Sequence, residues 1–200
     1  MVIAKVLKTH RTLSFEFFPA KTREGRGKLE RVISKLSKCN PDFISMTYGA
    51  GGSTREGTLD VSVRTQAATG LRVMAHVTGS GQSREEVHGY LSQLEAGGIK
   101  DVMALRGDRI IHDGSTTGQC EEGFVHANDL IRYIKRNFTF GIGAACYPEG
   151  HPESASLAED LEFVKKKVGE GAEFLISQLF FENSTFLNML NGARKTINVP

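Results

Sequence analysis

Short apolar runs of six or seven residues alternate along the chain with longer stretches whose apolar positions recur at helical period. Leu13–Phe18, Asp42–Thr47, Leu71–Val77, Lys100–Leu105, Thr139–Ala145 and Phe174–Leu179 read as buried strands. Between them, Leu29, Val32, Ile33 and Leu36 mark one helical stripe. Ser53 with Glu56, and Ser83 with Glu86, have the spacing of a capping box at the start of two more helices. Further helices are predicted over Val125–Arg136, over Ser154–Gly169 with Leu157, Leu161 and Val164 on one stripe, and over Ser184–Lys195. The stretch from Gly107 to Gly123, rich in Gly, Thr and Ser, reads as irregular.

Strict alternation of strand and helix implies a parallel sheet with right-handed crossovers. An open dinucleotide-binding sheet should carry G-x-G-x-x-G after its first strand. Here that strand runs into Phe17, Phe18, Pro19 and Ala20, which favours the closed alternative. The predicted fold is therefore an α/β parallel (β/α)8 TIM-type barrel, with about six of the eight β/α units present. Asn198-Val199-Pro200 reads as the opening of a seventh strand, so the expectation is a single barrel domain over residues 1–200, incomplete at its C-terminal side.

Composition changes this picture little. Two hundred residues, 40% hydrophobic and 24% charged, suit one well-buried core. The net charge of +2 is mild and the cations are scattered among acids, which argues against nucleic acid as a partner. No stretch reaches the ~18 apolar residues of a membrane span, and residues 1–10 hold no signal-like apolar segment. Cys39, Cys120 and Cys146 form no C-x-x-C pair, so a reducing, cytoplasmic setting is expected.

Parallel barrels place their chemistry at the carboxyl ends of the strands. Those ends carry Glu16, Thr47, His76, Arg106 with Asp108, Tyr147 and Gln178. Polar groups at every strand end are a costly way to build a core, because each unpaired buried group costs about 1–3 kcal/mol. Taken singly, each has a plain reading: Glu16 as half of an ion pair, His76 as a satisfied core histidine, Asp108 as a loop cap, Gln178 as a buried amide. The set carries more than its members.

Other features point less far. Gly49-Ala50-Gly51-Gly52-Ser53-Thr54 precedes a helix, as an anion-binding loop does, yet lacks the lysine of a P-loop. Lys165-Lys166-Lys167 reads as a solvated helix face from which one lysine can reach a phosphate. His112, Cys120 and His126 match no zinc spacing, and the prolines flanking Glu149, His151 and Glu153 break a shared face, so no metal is expected.

Five blocks occur in order: Ser14-Phe15-Glu16-Phe17-Phe18-Pro19, Thr47-Tyr48-Gly49-Ala50, Ala104-Leu105-Arg106-Gly107-Asp108, Tyr147-Pro148-Glu149 with His151-Pro152-Glu153, and Gln178-Leu179-Phe180-Phe181. Together they resemble the 5,10-methylenetetrahydrofolate reductase family from about Leu13 to the last residue. The resemblance implies a barrel holding FAD, which takes hydride from NADH or NADPH and passes it to methylenetetrahydrofolate to give 5-methyltetrahydrofolate. It implies FAD contacts for Thr47, His76, Arg106, Asp108, Ala145, Tyr147, His151, Asp160 and Lys167. It makes Glu16, a carboxyl expected to lie under the cover of its aromatic neighbours in the strand, the acid that protonates the departing folate nitrogen, Asp108 the group that tunes the flavin, and Gln178 the ligand of the pterin ring. A homo-oligomer is expected, since unclosed strand edges expose apolar surface.

Two departures stand out: His126 occupies a position where the family carries tyrosine, and Gly79 replaces a more usual cysteine, a change that reads as neutral. The competing readings are a non-catalytic or poorly active truncated form of such a reductase, and a metal-dependent hydrolase on the same barrel.

Overall fold

The computed structural model describes residues 3–48, 55–108, 111–112, 115–116 and 123–200. In chain order the elements are α1 (Ile3–Leu7), β1 (Ser14–Phe17), α2 (Arg23–Leu36), β2 (Phe43–Met46), α3 (Arg55–Thr69), β3 (Val73–Thr78), α4 (Arg84–Ala96) and β4 (Asp101–Leu105). They continue with β5 (Ile111–His112), β6 (Ser115–Thr116), α5 (Ala127–Asn137), β7 (Gly141–Cys146), α6 (Leu157–Gly169), β8 (Phe174–Ser177) and α7 (Asn183–Ala193). Six strands form one parallel sheet in the order β1-β2-β3-β4-β7-β8, and β5 and β6 form a separate antiparallel pair. Sequential parallel pairing with a helix after each strand is the arrangement of a partial (β/α) barrel.

The ladder register sorts side chains onto two faces. Phe17 pairs with Met46, Met46 with Ala75, Ala75 with Val102 and Val102 with Ile142, and all of these enter the large core beneath the helices. Ile33 of α2, Val61 of α3, Val87, Leu91 and Leu94 of α4, and Leu130, Ile131 and Ile134 of α5 complete that core. Of the predicted α2 stripe, Ile33 is buried and Leu29 and Leu36 pack partly against this core, while Val32 is exposed. The opposite, barrel-interior face alternates with it: Glu16 pairs with Ser45 and Ser45 with Met74, while His76 pairs with Met103, Met103 with Gly143 and Gly143 with Phe174.

This inner face is apolar near the strand starts and polar near their carboxyl ends. Phe43, Met74, Met103 and Phe174 pack there against Ile3 and Ala4 of α1, whose first backbone N–H donates to Asp101 Oδ1 at 2.8 Å. A five-residue helix is too short to show a period in the sequence, but with Ile3, Ala4 and Val6 buried it plugs the amino end of the sheet. A Cβ on Gly143 would lie 2.6 Å from the Phe174 ring, so glycine there makes room for the aromatic filling.

Local signals account for the helix boundaries. Ser83 and Glu86 form the expected reciprocal capping box on α4, and Ser156 caps α6 by accepting from the Glu159 N–H. Residues 49–54, the glycine-rich loop with its proposed cap Ser53, lie outside the described residues, as do Cys120 and most of the stretch after β4. The Pro200 carbonyl accepts from Leu175 N–H at 2.8 Å, so the chain beyond α7 lies along the outer edge of β8. Among the described residues, no helix is long and apolar enough to cross a membrane.

Candidate active site

The carboxyl end of the inner face carries two groups of polar side chains. The first belongs to β1, β2 and β3. Ser45 Oγ lies 2.7 Å from His76 Nε2 and 3.4 Å from Glu16 Oε2, and His76 Nε2 is 3.5 Å from the same carboxylate oxygen. Ser45 and His76 are buried, whereas the Glu16 side chain remains 53% exposed. Desolvation pushes the His76 imidazole down to about 4, so the ring is neutral at ordinary pH. Thr47, one step past β2, has a buried hydroxyl with no hydrogen-bond partner among the described residues. Its carbonyl is engaged by the Thr58 hydroxyl at 3.0 Å, which ties the strand end to α3.

The aromatic flanks of Glu16 do not enclose it. Alternation turns Phe15 and Phe17 into the outer core, and Phe18 is exposed. The apolar cover that the sequence suggests for this carboxyl is therefore not supplied by its neighbours on β1.

The second group joins β4, β7 and α6. The Arg106 guanidinium grips Glu153 through two N–H donors at 2.7 and 3.0 Å. Tyr147 packs edge-on against His151, with ring centroids 4.8 Å apart, and burial raises its phenol above the ordinary range against the pull of Arg106. Lys167 points back from α6 and donates to the Ala145 carbonyl at 2.8 Å. Burial lowers its ammonium while the nearby Asp160 opposes the shift. Asp160 is itself buried; Oδ1 accepts from the Ser154 hydroxyl at 3.4 Å, and Oδ2 has no partner among the described residues. Asp108 is exposed and adds its charge to the field at Arg106 and Tyr147.

Gln178 stands apart. It follows β8, the opposite outer strand from β1, and its side-chain oxygen folds back to accept the Leu179 N–H at 2.9 Å. The sequence-derived positions thus converge as two groups, with Gln178 separate. Ser45 and Glu153 are the members that the strand-end pattern passes over. Ser45 was legible in principle, because it lies two residues before Thr47 and so shares its face.

The two departures look different in three dimensions. His126 precedes α5, and its backbone N–H donates to Asp129 at 3.3 Å. A Cβ at Gly79 would approach the Cβ of Phe124 to 2.7 Å, so cysteine and glycine are not interchangeable there. Among the described residues, no group of three or more His, Cys, Asp or Glu side chains is placed to hold a metal ion.

Comparison with known proteins places this arrangement. Among solved structures, the chain superposes on a dihydrodipicolinate synthase family protein from Coccidioides immitis with a TM-score of 0.59 at 11% identity, covering 92% of this chain and 56% of that one. A phosphoenolpyruvate phosphomutase from Streptomyces platensis subsp. rosaceus gives 0.56 at 16% identity, covering 86% and 61%. These likenesses bear on fold alone, and both neighbours are TIM barrels.

Sequence relatives say more. Methylenetetrahydrofolate reductase (NADH) 1 of Arabidopsis thaliana is 37% identical over 199 residues, which cover 94% of this chain and 33% of the plant protein. The 5,10-methylenetetrahydrofolate reductase of Salmonella typhimurium is 38% identical over 175 residues, covering 88% of this chain and 57% of the bacterial protein. The chain therefore spans about a third of the length of its plant relative and rather more than half that of the bacterial one. Residues 2–200 match the family model for methylenetetrahydrofolate reductase, and the chain belongs to that family.

Proposed function

We propose that this chain is the flavin- and folate-handling barrel of a reductase that converts 5,10-methylenetetrahydrofolate to 5-methyltetrahydrofolate with NADH or NADPH. The observation that carries the reading is that two of the four buried polar atoms without a partner among the described residues, Thr47 Oγ1 and Asp160 Oδ2, lie at this site. Native interiors seldom leave such atoms unpaired, since each costs about 1–3 kcal/mol. Both belong to positions that the resemblance assigns to FAD, one in each polar group, so the residues present fit that cofactor.

When bound, FAD supplies hydride transfer between pyridine nucleotide and folate. Thr47 and His76 would hold it from the β2–β3 side; Arg106, Asp108, Ala145, Tyr147, His151, Asp160 and Lys167 from the other. Lys167 and Arg106 bring positive charge suited to a pyrophosphate. His76 contributes an uncharged ring, because burial keeps it neutral.

Glu16 is the proposed acid. Hydride addition requires the folate's five-membered ring to open, and opening requires a proton on the departing nitrogen. The Glu16 carboxyl stands at the rim with half its surface free, where it can meet a substrate. Asp108 sets negative charge beside the flavin site and so favours hydride release. Gln178 offers the pterin one donor group and one acceptor, once its side chain swings off the Leu179 N–H.

The test is FAD retention. The purified protein, loaded with FAD and passed through gel filtration, should keep a flavin spectrum, and Asp160→Asn should weaken retention. A wild-type protein that binds no FAD at micromolar concentration overturns the reading.

A further inference from the structure

The hydroxyl of Ser45 sits between the two side chains with the most distinct assigned chemistry on β1–β3. Ladder register explains why: Ser45 is the Cα partner of Glu16, and His76 lies on the same face of β3, two residues past Ser45's own partner Met74. We infer that Ser45 is a positioning residue for the Glu16 carboxyl, bridging it to His76 and tethering Oε2 so that Oε1 is the oxygen that carries and delivers the proton. This rests on the reading of Glu16 as the acid.

Proton counting fixes the direction of the bridge. An ionised carboxylate only accepts, and a serine hydroxyl has one proton. With Glu16 ionised, Ser45 therefore donates to Oε2 at 3.4 Å and accepts the His76 Nε2–H at 2.7 Å. His76 is then the Nε2-protonated tautomer. Burial keeps the ring uncharged, so it remains a fixed donor and does not compete for the proton. When Glu16 holds its proton on Oε1, Oε2 still accepts from Ser45, and the tether survives both states. Among the described residues, Oε1 has no protein partner. An exposed glutamate keeps several rotamers; one fixed oxygen removes most of that freedom where the proton must be aimed.

The test uses the FAD-loaded protein and separates its two half-reactions by stopped flow. Ser45→Ala should slow folate-dependent flavin reoxidation by about ten- to a hundredfold, the loss expected for one hydrogen bond to a charged group. Flavin reduction by pyridine nucleotide, which needs no proton from Glu16, should stay within about twofold. Ser45→Thr keeps a hydroxyl and should recover most of the rate. If Ser45→Ala fails to fold, Ser45→Cys, close in size but a poor donor, should show the same selective loss.

In a Glu16→Gln background, Ser45→Ala should add less than about twofold, because both act through one carboxyl. Independently of activity, 15N NMR of the unliganded protein should find His76 protonated on Nε2, and Ser45→Ala should abolish that preference. A Ser45→Ala protein with an unchanged folate step, or a loss that persists in full beside Glu16→Gln, overturns the inference and leaves the proposed function standing. A wild-type flavin that pyridine nucleotide reduces but methylenetetrahydrofolate never reoxidises overturns both.

Discussion

Arg106 and Glu153 meet through a two-pronged hydrogen bond, at 2.7 and 3.0 Å, that fastens the segment after β4 to the segment after β7. The pair is half-exposed and so contributes little to stability, typically under about 1 kcal/mol. Its consequence is geometric, because it sets the distance between two stretches that both carry proposed FAD contacts. Arg106→Lys keeps the charge but loses the fork. It should weaken FAD binding by about tenfold in a fluorescence titration while moving the melting temperature by no more than ~2 °C. Unchanged affinity would remove Arg106 from the cofactor's surroundings.

Thr47 gives a prediction in which stability and binding move in opposite directions. Its buried hydroxyl has no partner among the described residues, so Thr47→Val, nearly the same shape, deletes a desolvated polar group. The FAD-free variant should be as stable as wild type or more so, by up to about 1 kcal/mol in urea unfolding. Its FAD affinity should fall. A variant that loses stability without FAD would mean that the hydroxyl is satisfied within the protein.

His76 makes the fold acid-sensitive. Burial lowers its imidazole from the ordinary 6.5 to about 4, so the unfolded chain binds its proton more readily than the folded one. The stabilisation from keeping it neutral is complete above about pH 6.5 and is lost as pH falls toward 4, amounting to about 3 kcal/mol over that window. His76→Gln should flatten this part of the stability–pH curve. An equally steep acid loss in the variant would contradict the account.

Asp101 has the opposite sign. Burial raises its carboxyl from 3.8 to about 6, despite the hydrogen bond from Ile3, and Oδ2 has no partner among the described residues. The folded state therefore binds the proton more tightly, and the stability this gives below pH 3.8 is lost as pH rises through 6. Asp101→Asn keeps an oxygen for the Ile3 N–H and removes the buried charge. It should raise the melting temperature at pH 7.5 and leave it nearly unchanged at pH 4, as calorimetry at the two values would report.

Gly79 faces Phe124 so closely that even a methyl group has no room. Gly79→Ala should cost about 1–3 kcal/mol, the usual penalty for overpacking. A neutral result would restore the sequence reading that this position tolerates substitution.

What could be read from the chain, and what could not, follows the range of the forces involved. Strand and helix order was legible because burial imposes periods of two and 3.6 on nearby positions, as in Met46 and Ile44 against Ser45, or Leu130, Ile131 and Ile134. The Ser83–Glu86 box was legible because it closes within one turn. Strand-end reading put Glu16, Thr47, His76 and Tyr147 at the carboxyl ends of successive strands, and the fold has them there because barrel topology brings those ends together. It passed over Ser45, which shares the face of Thr47 but whose contacts reach partners 29 and 31 residues away in the chain. It missed α1, whose helical state is fixed by contacts with Phe43, Met74, Met103 and Phe174 rather than by local pattern. The aromatic cover expected around Glu16 failed for a simple reason: neighbours in a strand face opposite sides.

The most direct measurement is a pair of spectra on one sample. The FAD-loaded protein, mixed anaerobically with NADH or NADPH, should lose its visible flavin band. Methylenetetrahydrofolate should then restore the band with formation of 5-methyltetrahydrofolate in equal amount. Glu16→Gln should bleach normally yet fail to recover. Recovery in Glu16→Gln at the wild-type rate, or a wild-type flavin that folate never reoxidises, would contradict the account.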